Sequence, residues 1–299
     1  MRIGLVGSCF FGSEAPFHQT FLCSGQAGRA IFTNDPDEQC DYIVTFGVLP
    51  DDVPTWWRHY PLSRRVAVLH ENPLIFFPSY AYLEEHGVLL SPFLPRRING
   101  PNWIPTQTGV PWFYGAKYKT NKGLSHEREI VEATRLDELV SKELPQKNKH
   151  VSFITSTKSG LPGYNFRLAL ANGLKKRLGS TIDIFGFGHN PVALKDSALD
   201  PYHYTIVIEN SFVGNYWTEK LSDAYLGFST PIYLGAPNVQ SYFDFPVLQI
   251  DSSSISHAVE QIAKIIDKEP DPLALICNRN KIMFKHNVFY LLEDVLWRL

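Results

Sequence analysis

The sequence predicts an α/β protein built on parallel sheets with helical crossovers. Short runs of β-branched and aromatic residues alternate along the chain with segments of helical period, which is typical of this fold class. The chain has 299 residues, more than a single hydrophobic core usually serves, so we expect two packed units. Apolar residues make up 44% and charged residues 19%, a balance that excludes a disordered or collagen-like chain.

Charge and cysteine content limit the classes of function. The net charge is −2, so a broad polyanion-binding surface is not expected and nucleic acid is not a predicted partner. Any anion must therefore be held by a local group of residues. The 4 cysteines show no CxxC spacing, which argues against a zinc ribbon or a dense disulfide framework and favours free thiols in a reducing compartment.

The amino-terminal segment, MRIGLVGSCFFG, predicts a first buried strand rather than a membrane anchor. Its apolar run is interrupted by Gly and Ser and is too short to cross a bilayer. It also lacks the layout of a signal peptide. We therefore expect a cytoplasmic protein without a membrane span, and we leave peripheral membrane association open.

The first half of the chain is expected to form one domain, residues 1–148. Its candidate strands are Arg2–Val6, Tyr42–Phe46, Arg65–His70 and Val88–Ser91. The stretch Pro92–Pro111 is rich in Pro, Gly and Asn and is expected to be a loop rather than a regular element. Glu127–Leu144 has the pattern of a polar amphipathic helix. The polar run PQKNKH that follows has no apolar anchor, so we place the domain boundary near Lys149.

The second half, residues 149–279, repeats strand and helix in sequence. The expected strands are His150–Thr155, Ile182–Phe185, Tyr204–Glu209, Pro231–Leu234 and Val247–Ile250, with helices from near Asn165, over Tyr216–Gly227 and over Ser254–Asp267. This is the doubly wound pattern, in which ligands bind at the carboxyl ends of the strands. A final helix over residues 280–299 has an apolar side and could pack back on the first domain.

One segment of the second half combines a strand, a turn and a helix start in a way that suits an anion. The strand ends at Glu209-Asn210, and the helix begins near Thr218 with Lys220 in its first turn. A helix start presents free N–H groups and a partial positive charge, so a lysine there is unfavourable unless an anion shares the site. Glu219 would repel phosphate, so its carboxylate is better suited to accept hydrogen bonds from two ribose hydroxyls. Alternatively, both charges belong to the exposed face of an ordinary amphipathic helix.

The same segment carries a family resemblance. The signature block of the α-1,3-fucosyltransferase family reads E-N-S/T, a short spacer, Y-x-T-E-K, a helix and P-x-Y-x-G-x-P. This chain closely resembles it in ENSFVGNYWTEKLSDAYLGFSTPIYLGAPNV. The resemblance implies a GT-B-like fold, with two Rossmann-like α/β domains facing a central cleft, an acceptor in the first and a GDP-sugar in the second. It also implies inverting transfer of L-fucose from GDP-β-L-fucose to a glycan hydroxyl, with no cofactor and no essential divalent metal.

Residue by residue, the resemblance implies a set of donor-binding side chains. Lys220 matches the family lysine at the phosphates, and Glu219 matches the acidic residue at the ribose. Asn210 and Tyr216 match residues that line the donor pocket. Upstream, VSFITSTKSGLPGYNFRLALANGL is similar to the family block in which an arginine opens a helix, which makes Arg167 the second phosphate cation. A guanidinium can contact two phosphate oxygens, so Arg167 and Lys220 could balance a GDP leaving group without a metal.

Two nearby stretches were also compared with the family pattern, and one departs from it while the other resembles it. The family usually has Ser-Asn after the strand, where this chain has Ser156-Thr157-Lys158, and the GLPG stretch at 160–163 is its own. DIFGFG, at 183–188, resembles the family's D-x-x-G strand and turn. Its glycines are expected to serve backbone turns rather than catalysis.

A catalytic base is expected in the first half of the chain. An inverting transfer needs a group that takes the acceptor hydroxyl proton, and a carboxylate is the usual choice. In AVLHENPLIFF, Glu71 ends an apolar strand and is followed by Asn72-Pro73, which stops the strand. This resembles the family's G-E-N or E-S-P turn, whose glutamate is the proposed base. The alternative makes Glu71 a turn residue or the partner of Arg64.

Two alternatives to fucosyl transfer remain open. The first is a GT-B transferase that uses another GDP-sugar, because short motifs do not report the shape of a sugar pocket. The second is a catalytically silent nucleotide-sugar-binding module. The predicted partners are thus a GDP-sugar donor and an oligosaccharide or other glycan acceptor, in a pathway of glycan biosynthesis or protein glycosylation. No motif specifies the acceptor or the linkage.

Overall fold

The computed structural model describes residues 1–6, 17–47, 55–71, 78–93, 100–118, 130–160, 162–192 and 194–299. The chain separates into two compact units. Unit 1 comprises Met1–Pro111, Ala116–Ser141 and Met283–Leu299, and unit 2 comprises Trp112–Gly115 and Lys142–Ile282. The roles assigned to the two domains stay predictions.

The strands and helices of the described residues are as follows, in chain order. The strands are β1 Arg2–Val6, β2 Gln26–Ala27, β3 Ala30–Thr33, β4 Tyr42–Phe46, β5 Arg65–Val68, β6 Val88–Ser91, β7 Asn102–Pro105, β8 Lys117–Tyr118, β9 Ile130–Glu132, β10 Lys149–Ile154, β11 Ile182–Phe185, β12 Tyr202–Ile208, β13 Thr230–Leu234 and β14 Leu248–Gln249. The helices are α1 Tyr80–Glu84, α2 Leu136–Ser141, α3 Pro162–Leu178, α4 Glu219–Leu226, α5 Ile255–Ile266, α6 Pro272–Phe284 and α7 Val288–Trp297.

A mainly parallel sheet forms the centre of unit 1. In its described part, seven strands are ordered β2-β3-β1-β4-β5-β6-β7, and the β2–β3 pair is antiparallel. The inner strands are nearly continuous apolar runs, as expected of parallel strands that are covered on both faces. The carboxyl-terminal helix α7 inserts Phe289 and Leu292 into the same core as Val44 and Val66. The end of the chain is therefore part of unit 1.

A parallel sheet also forms the centre of unit 2. Its described strands are five, in the order β11-β10-β12-β13-β14. The chain passes from β10 to β11 on one side and then to β12 on the other side of β10, so the strand order reverses between β10 and β12. Helices α3 and α5 pack Leu170, Leu174 and Ile262 against this sheet. The predicted fold class of two Rossmann-like α/β domains is confirmed.

Two predictions for unit 1 are wrong. The stretch Pro92–Pro111 is not all loop, because Asn102–Pro105 forms β7 at the sheet edge, beside β6. Trp103 suits a strand and its indole N–H donates to the Ser91 carbonyl at 3.2 Å, while an edge strand tolerates Pro105. Within Glu127–Leu144, residues 130–132 form strand β9 and the helix is confined to α2, and Glu127 itself lies outside the described residues. The β-branched pair at 130–131 favours the strand.

The single helix predicted over residues 280–299 is also wrong. Helix α6 begins earlier, at Pro272, and ends at Phe284, and a separate helix α7 follows. Asn287 separates them because its side chain accepts the N–H of Phe289 at 2.9 Å and so caps α7. The Asn287 amide also donates to the Gln19 carbonyl at 2.6 Å, which fixes the break within unit 1.

Two further features bear on the predicted compartment. Within the described ranges, no helix combines the length and the apolar character that a bilayer span requires. Cys40 and Cys277 are free thiols, and Cys9 lies outside the described residues. The compartment stays a prediction.

We expect Phe289→Ala to lower the free energy of unfolding by about 3–5 kcal/mol, the usual loss for emptying a buried phenylalanine site. Phe289 is fully buried and meets the Phe32 ring edge-on at 4.9 Å between centroids. Urea denaturation measures the change. Phe284→Ala, at a 43% exposed site, is the control and should change stability by about 0.5 kcal/mol or less. Equal losses in the two variants would contradict the packing described for α7.

Candidate functional site

A cavity of about 230 Å³ lies in unit 2, at the reversal of strand order. Its wall includes Thr155 after β10, Ile208 at the end of β12 and Arg167 from α3, and it also includes the first turn of α4. In open α/β sheets the crevice at such a reversal, outside the carboxyl ends of the strands, is the usual ligand site. The cavity is therefore the candidate functional site.

The start of α4 is fixed by Glu209, the residue that follows β12. The Glu209 carboxylate accepts the backbone N–H of Thr218 at 2.8 Å and its hydroxyl at 2.9 Å. The Thr218 oxygen in turn caps the helix, accepting from the backbone N–H of Lys220 at 3.4 Å and from its ammonium at 3.0 Å. Glu209 thus connects the end of a strand to the first turn of the next helix.

In the sequence, Glu209 was recognised as the end of a strand and as the first residue of the E-N-S/T motif, with no role of its own. It is fully buried, and burial raises the pKa of its carboxyl while the nearby Lys220 ammonium, 3.6 Å away, lowers it. A buried carboxylate is stable only when it is paired and hydrogen-bonded. The signal that could have identified it is an acidic residue closing an otherwise apolar strand.

Lys220 and Glu219 form an ion pair at the cavity wall. The Lys220 ammonium lies 3.4 Å from the Glu219 carboxylate. Burial acts to raise the pKa of Glu219, but Lys220 and Lys195 together lower it to about 2. Burial acts to lower the pKa of Lys220, and the Glu219 and Glu209 carboxylates raise it above its usual value. Both side chains are therefore charged at neutral pH.

Arg167 is held at the cavity with unused donor capacity. It is 7% exposed, and its Nη1 donates to the Ile208 carbonyl at 3.4 Å. Its Nε–H has no hydrogen-bond partner among the residues that the structure describes. Burial lowers the pKa of Arg167, and Tyr164 and Glu209 act to raise it. A buried guanidinium that lines a cavity with an unpaired N–H suits an oxyanion.

The close approach of α3 to β12 depends on Gly163, in the stretch that departs from the family pattern. A Cβ on Gly163 would stand 2.4 Å from the Glu209 carbonyl oxygen, so no other residue fits there. The glycines of DIFGFG serve the backbone, as expected: Gly186 has φ +112° and Gly188 has φ +81°. A Cβ on Gly186 would overlap the Thr155 carbonyl, so this turn lies against the cavity wall at Thr155.

The structure brings together part of the predicted site. Arg167, Glu219 and Lys220 line one cavity. Asn210 and Tyr216 lie on the segment between β12 and α4 and are not among the cavity-lining residues. Tyr216 is buried, and the buried Oδ1 of Asn210 has no hydrogen-bond partner within the described part of the chain. Their role as pocket-lining residues stays a prediction.

Two charged residues of the cavity wall, Lys195 and Asp223, were not predicted. Lys195 precedes β12 and its ammonium donates to the Asp223 carboxylate at 2.5 Å. Asp223 stands one turn beyond Glu219 on α4 and is buried. An acidic pair at i and i+4 on one helix was visible in the sequence, but no local pattern connects Lys195 to it.

Glu71, the predicted base, lies in unit 1. It is half-buried and follows β5 toward the carboxyl edge of that sheet. The strand ends at Val68, earlier than predicted, and Asn72-Pro73 lie outside the described residues. Its catalytic role and its alternative role as a turn residue are both untested predictions.

Among the described residues, no group of three or more His, Cys, Asp or Glu side chains is arranged to hold a metal ion. The cations of the cavity wall are side chains, Arg167, Lys195 and Lys220. Independence from a divalent metal stays a prediction.

Comparison with known proteins finds a fucosyltransferase that is similar to one segment of the chain. A segment of 77 residues is 39% identical to an α-(1,4)-fucosyltransferase from Arabidopsis thaliana. The match covers 26% of this chain and 19% of that protein, so the two are similar over about a fifth of the relative's length. No family model matches the chain.

Solved structures align with the chain at low identity. A crystal structure of an α1,3-fucosyltransferase aligns with this chain at 15% sequence identity and a TM-score of 0.45. The alignment covers 97% of this chain and 90% of the fucosyltransferase chain. An α-glucosyltransferase in complex with UDP is 9% identical, covers 97% of this chain and 95% of its own, and has a TM-score of 0.49. Neither likeness is close enough to support an argument about function.

We expect Glu219→Gln to destabilise the protein at neutral pH and progressively less in acid. The folded-state pKa of Glu219 is lowered from 4.5 to about 2. A carboxylate with a depressed pKa stabilises the fold above its unfolded pKa and loses that contribution as pH falls through the folded pKa. The difference in unfolding free energy between wild type and variant should therefore shrink from about pH 4.5 toward 2.

Urea denaturation at stepped pH measures this difference. Glu84→Gln, at an exposed position of α1, is the control. A Glu219→Gln effect that is the same at neutral pH and in acid would contradict the ion pair.

Proposed function

We propose that this chain, which is related to the fucosyltransferases, is an inverting glycosyltransferase that moves L-fucose from GDP-β-L-fucose to a glycan hydroxyl. The observation that carries the proposal is the cavity at the strand-order reversal of unit 2, where Arg167 and Lys220 share one wall. An anion with two phosphate groups fits two fixed cations beside a helix start.

The diphosphate would lie against the first turn of α4. The Lys220 ammonium at that turn would face one part of it, and the unpaired Nε–H of Arg167 would face another. Both cations are held in place by the protein before any ligand binds, Lys220 through Thr218 and Arg167 through the Ile208 carbonyl. Fixed cations offset negative charge without a reorganisation cost.

Glu219 suits the ribose. Its pKa of about 2 keeps the carboxylate ionised at neutral pH, and an ionised carboxylate accepts two hydroxyl hydrogen bonds. Lys220 and Lys195, next to it, reduce its repulsion of a neighbouring phosphate. Glu219 would thus bind the sugar of the nucleotide while Lys220 binds the diphosphate.

In the proposed reaction, the acceptor oxygen attacks the anomeric carbon of fucose as the bond from that carbon to the GDP oxygen breaks. Glu71 would take the proton of the acceptor hydroxyl. The electron pair of the broken bond leaves with GDP, whose growing negative charge Arg167 and Lys220 would stabilise.

A donor screen tests the function directly. The protein is incubated with GDP-fucose, GDP-mannose or UDP-glucose over a glycan array, and GDP or UDP release and product mass are measured. We expect fucosylated product from GDP-fucose. Product from another GDP-sugar would replace the donor assignment, and GDP binding without any product would identify a silent binding module.

Lys220→Ala and Arg167→Ala should each weaken GDP binding by about 1.5–3 kcal/mol, the range for hydrogen bonds to charged groups. Each variant removes one cation from the cavity wall. Titration calorimetry measures the affinity. Lys264→Ala on the exposed side of α5 and Arg177→Ala on the exposed side of α3 are matched controls that should bind GDP as wild type does. Unchanged affinity in both cavity variants would remove the diphosphate from this site.

Glu71→Gln should keep GDP affinity and lose turnover. The amide has nearly the shape of the carboxylate but cannot take the acceptor proton. GDP titration and initial rates with GDP-fucose measure the two effects separately. Glu84→Gln, exposed in the same unit, is the control and should turn over normally. Normal turnover by Glu71→Gln would show that the base is another group.

A further inference from the structure

Lys195 lies in the same cavity wall as the two cations assigned above. It precedes β12, and its side chain is 24% exposed, close to the 26% of Lys220. No resemblance pointed to this residue. Its position therefore comes from the fold alone.

Asp223 anchors the Lys195 ammonium over the first turn of α4. The two side chains meet at 2.5 Å, and Lys195 also lies 3.9 Å from Glu219. Because Glu219 and Asp223 are four residues apart on α4, they occupy one face of that helix. The ammonium thus lies beside the first two turns of α4, between the Glu219 and Asp223 carboxylates.

Lys195 is not the only group that stabilises the Asp223 carboxylate. The Asp223 carboxylate also accepts the backbone N–H groups of Phe113 and Tyr114 at 2.8 and 2.9 Å. These two hydrogen bonds stabilise part of the negative charge of the carboxylate. Lys195 also lies 5.3 Å from the centre of the Phe113 ring, which restricts its movement.

The charges of the cavity favour a third cation. Arg167 and Lys220 are already offset by Glu209 and Glu219, with the Lys220 ammonium 3.6 Å from one and 3.4 Å from the other. A diphosphate brings further negative charge to the same place. Without Lys195, that charge would face two cations and three carboxylates, those of Glu209, Glu219 and Asp223.

We infer that Lys195 is a further donor-binding residue, whose ammonium contacts the diphosphate of the nucleotide sugar beside Arg167 and Lys220. The inference rests on the proposed function, since it assumes that this cavity takes a nucleoside diphosphate. It assigns Lys195 to the phosphates and not to the base or the ribose.

The test compares GDP with guanosine, which lacks the phosphates. The variants are Asp223→Asn and Asp223→Asn/Lys195→Met, so that no buried carboxylate loses its partner. Affinities are measured by calorimetry for GDP and by ligand-observed NMR for guanosine. Asp223→Asn is the reference for GDP affinity, because the two variants share this change and differ only at Lys195. Relative to Asp223→Asn, the double variant should have an affinity for GDP that is lower by about tenfold or more, the least that loss of a charge-assisted contact gives. Its affinity for guanosine should be unchanged.

Each remaining outcome separates the two claims. If wild type does not bind GDP, the proposed function fails and this inference with it. If wild type binds GDP and the double variant matches Asp223→Asn, or loses GDP and guanosine equally, Lys195 does not contact the diphosphate and the proposed function stands.

A measurement on the wild-type protein covers the case in which the double variant does not fold. Lysines are labelled by reductive methylation with and without GDP and quantified by mass spectrometry. We expect GDP to lower the labelling of Lys195 and not that of Lys264, which is exposed on α5. Equal labelling of Lys195 with and without GDP would overturn the inference.

Discussion

The candidate site depends on one buried contact, between the Glu209 carboxylate and Thr218. Glu209 follows the central strand β12, and Thr218 caps α4, so the contact joins a strand end to a helix start. Glu209 is fully buried, and a carboxylate in that position is tolerated only with strong partners. Thr218 and Lys220 are those partners. The position of Lys220 at the cavity wall follows from the need to neutralise Glu209.

The same contact explains why the cavity is preformed. Lys220 is shared between Glu209 and Glu219 and stays charged although it is half-buried. Gly163 lets α3 approach the Glu209 backbone, since a Cβ there would stand 2.4 Å from the carbonyl. That approach brings Arg167 to the cavity with an unpaired N–H. The side chains proposed to bind the donor are thus held by contacts within the protein, as an electrostatic site requires.

Much of this could be predicted from local patterns, and the rest could not. Strands β1, β4, β6 and β11 have their predicted bounds because each is a compact apolar run between turn residues. Lys220 and Glu219 were found because a charged helix start has a local signature. The break before α7 was missed although Asn287 is a local cap, and its second contact, with Gln19, is far away in sequence. Lys195 was missed because only the fold brings it to Asp223. Contacts between residues that are far apart in the chain produce no periodic pattern in the sequence.

A crystal structure of the protein with GDP would test the central claim most directly. The account predicts the diphosphate in the cavity of unit 2, with its oxygens within about 3 Å of the Arg167 guanidinium and the Lys220 ammonium, the usual length of charge-assisted hydrogen bonds. The Glu219 carboxylate should accept hydrogen bonds from the ribose hydroxyls. GDP bound elsewhere, or bound here with its phosphates turned away from both cations, would contradict the account.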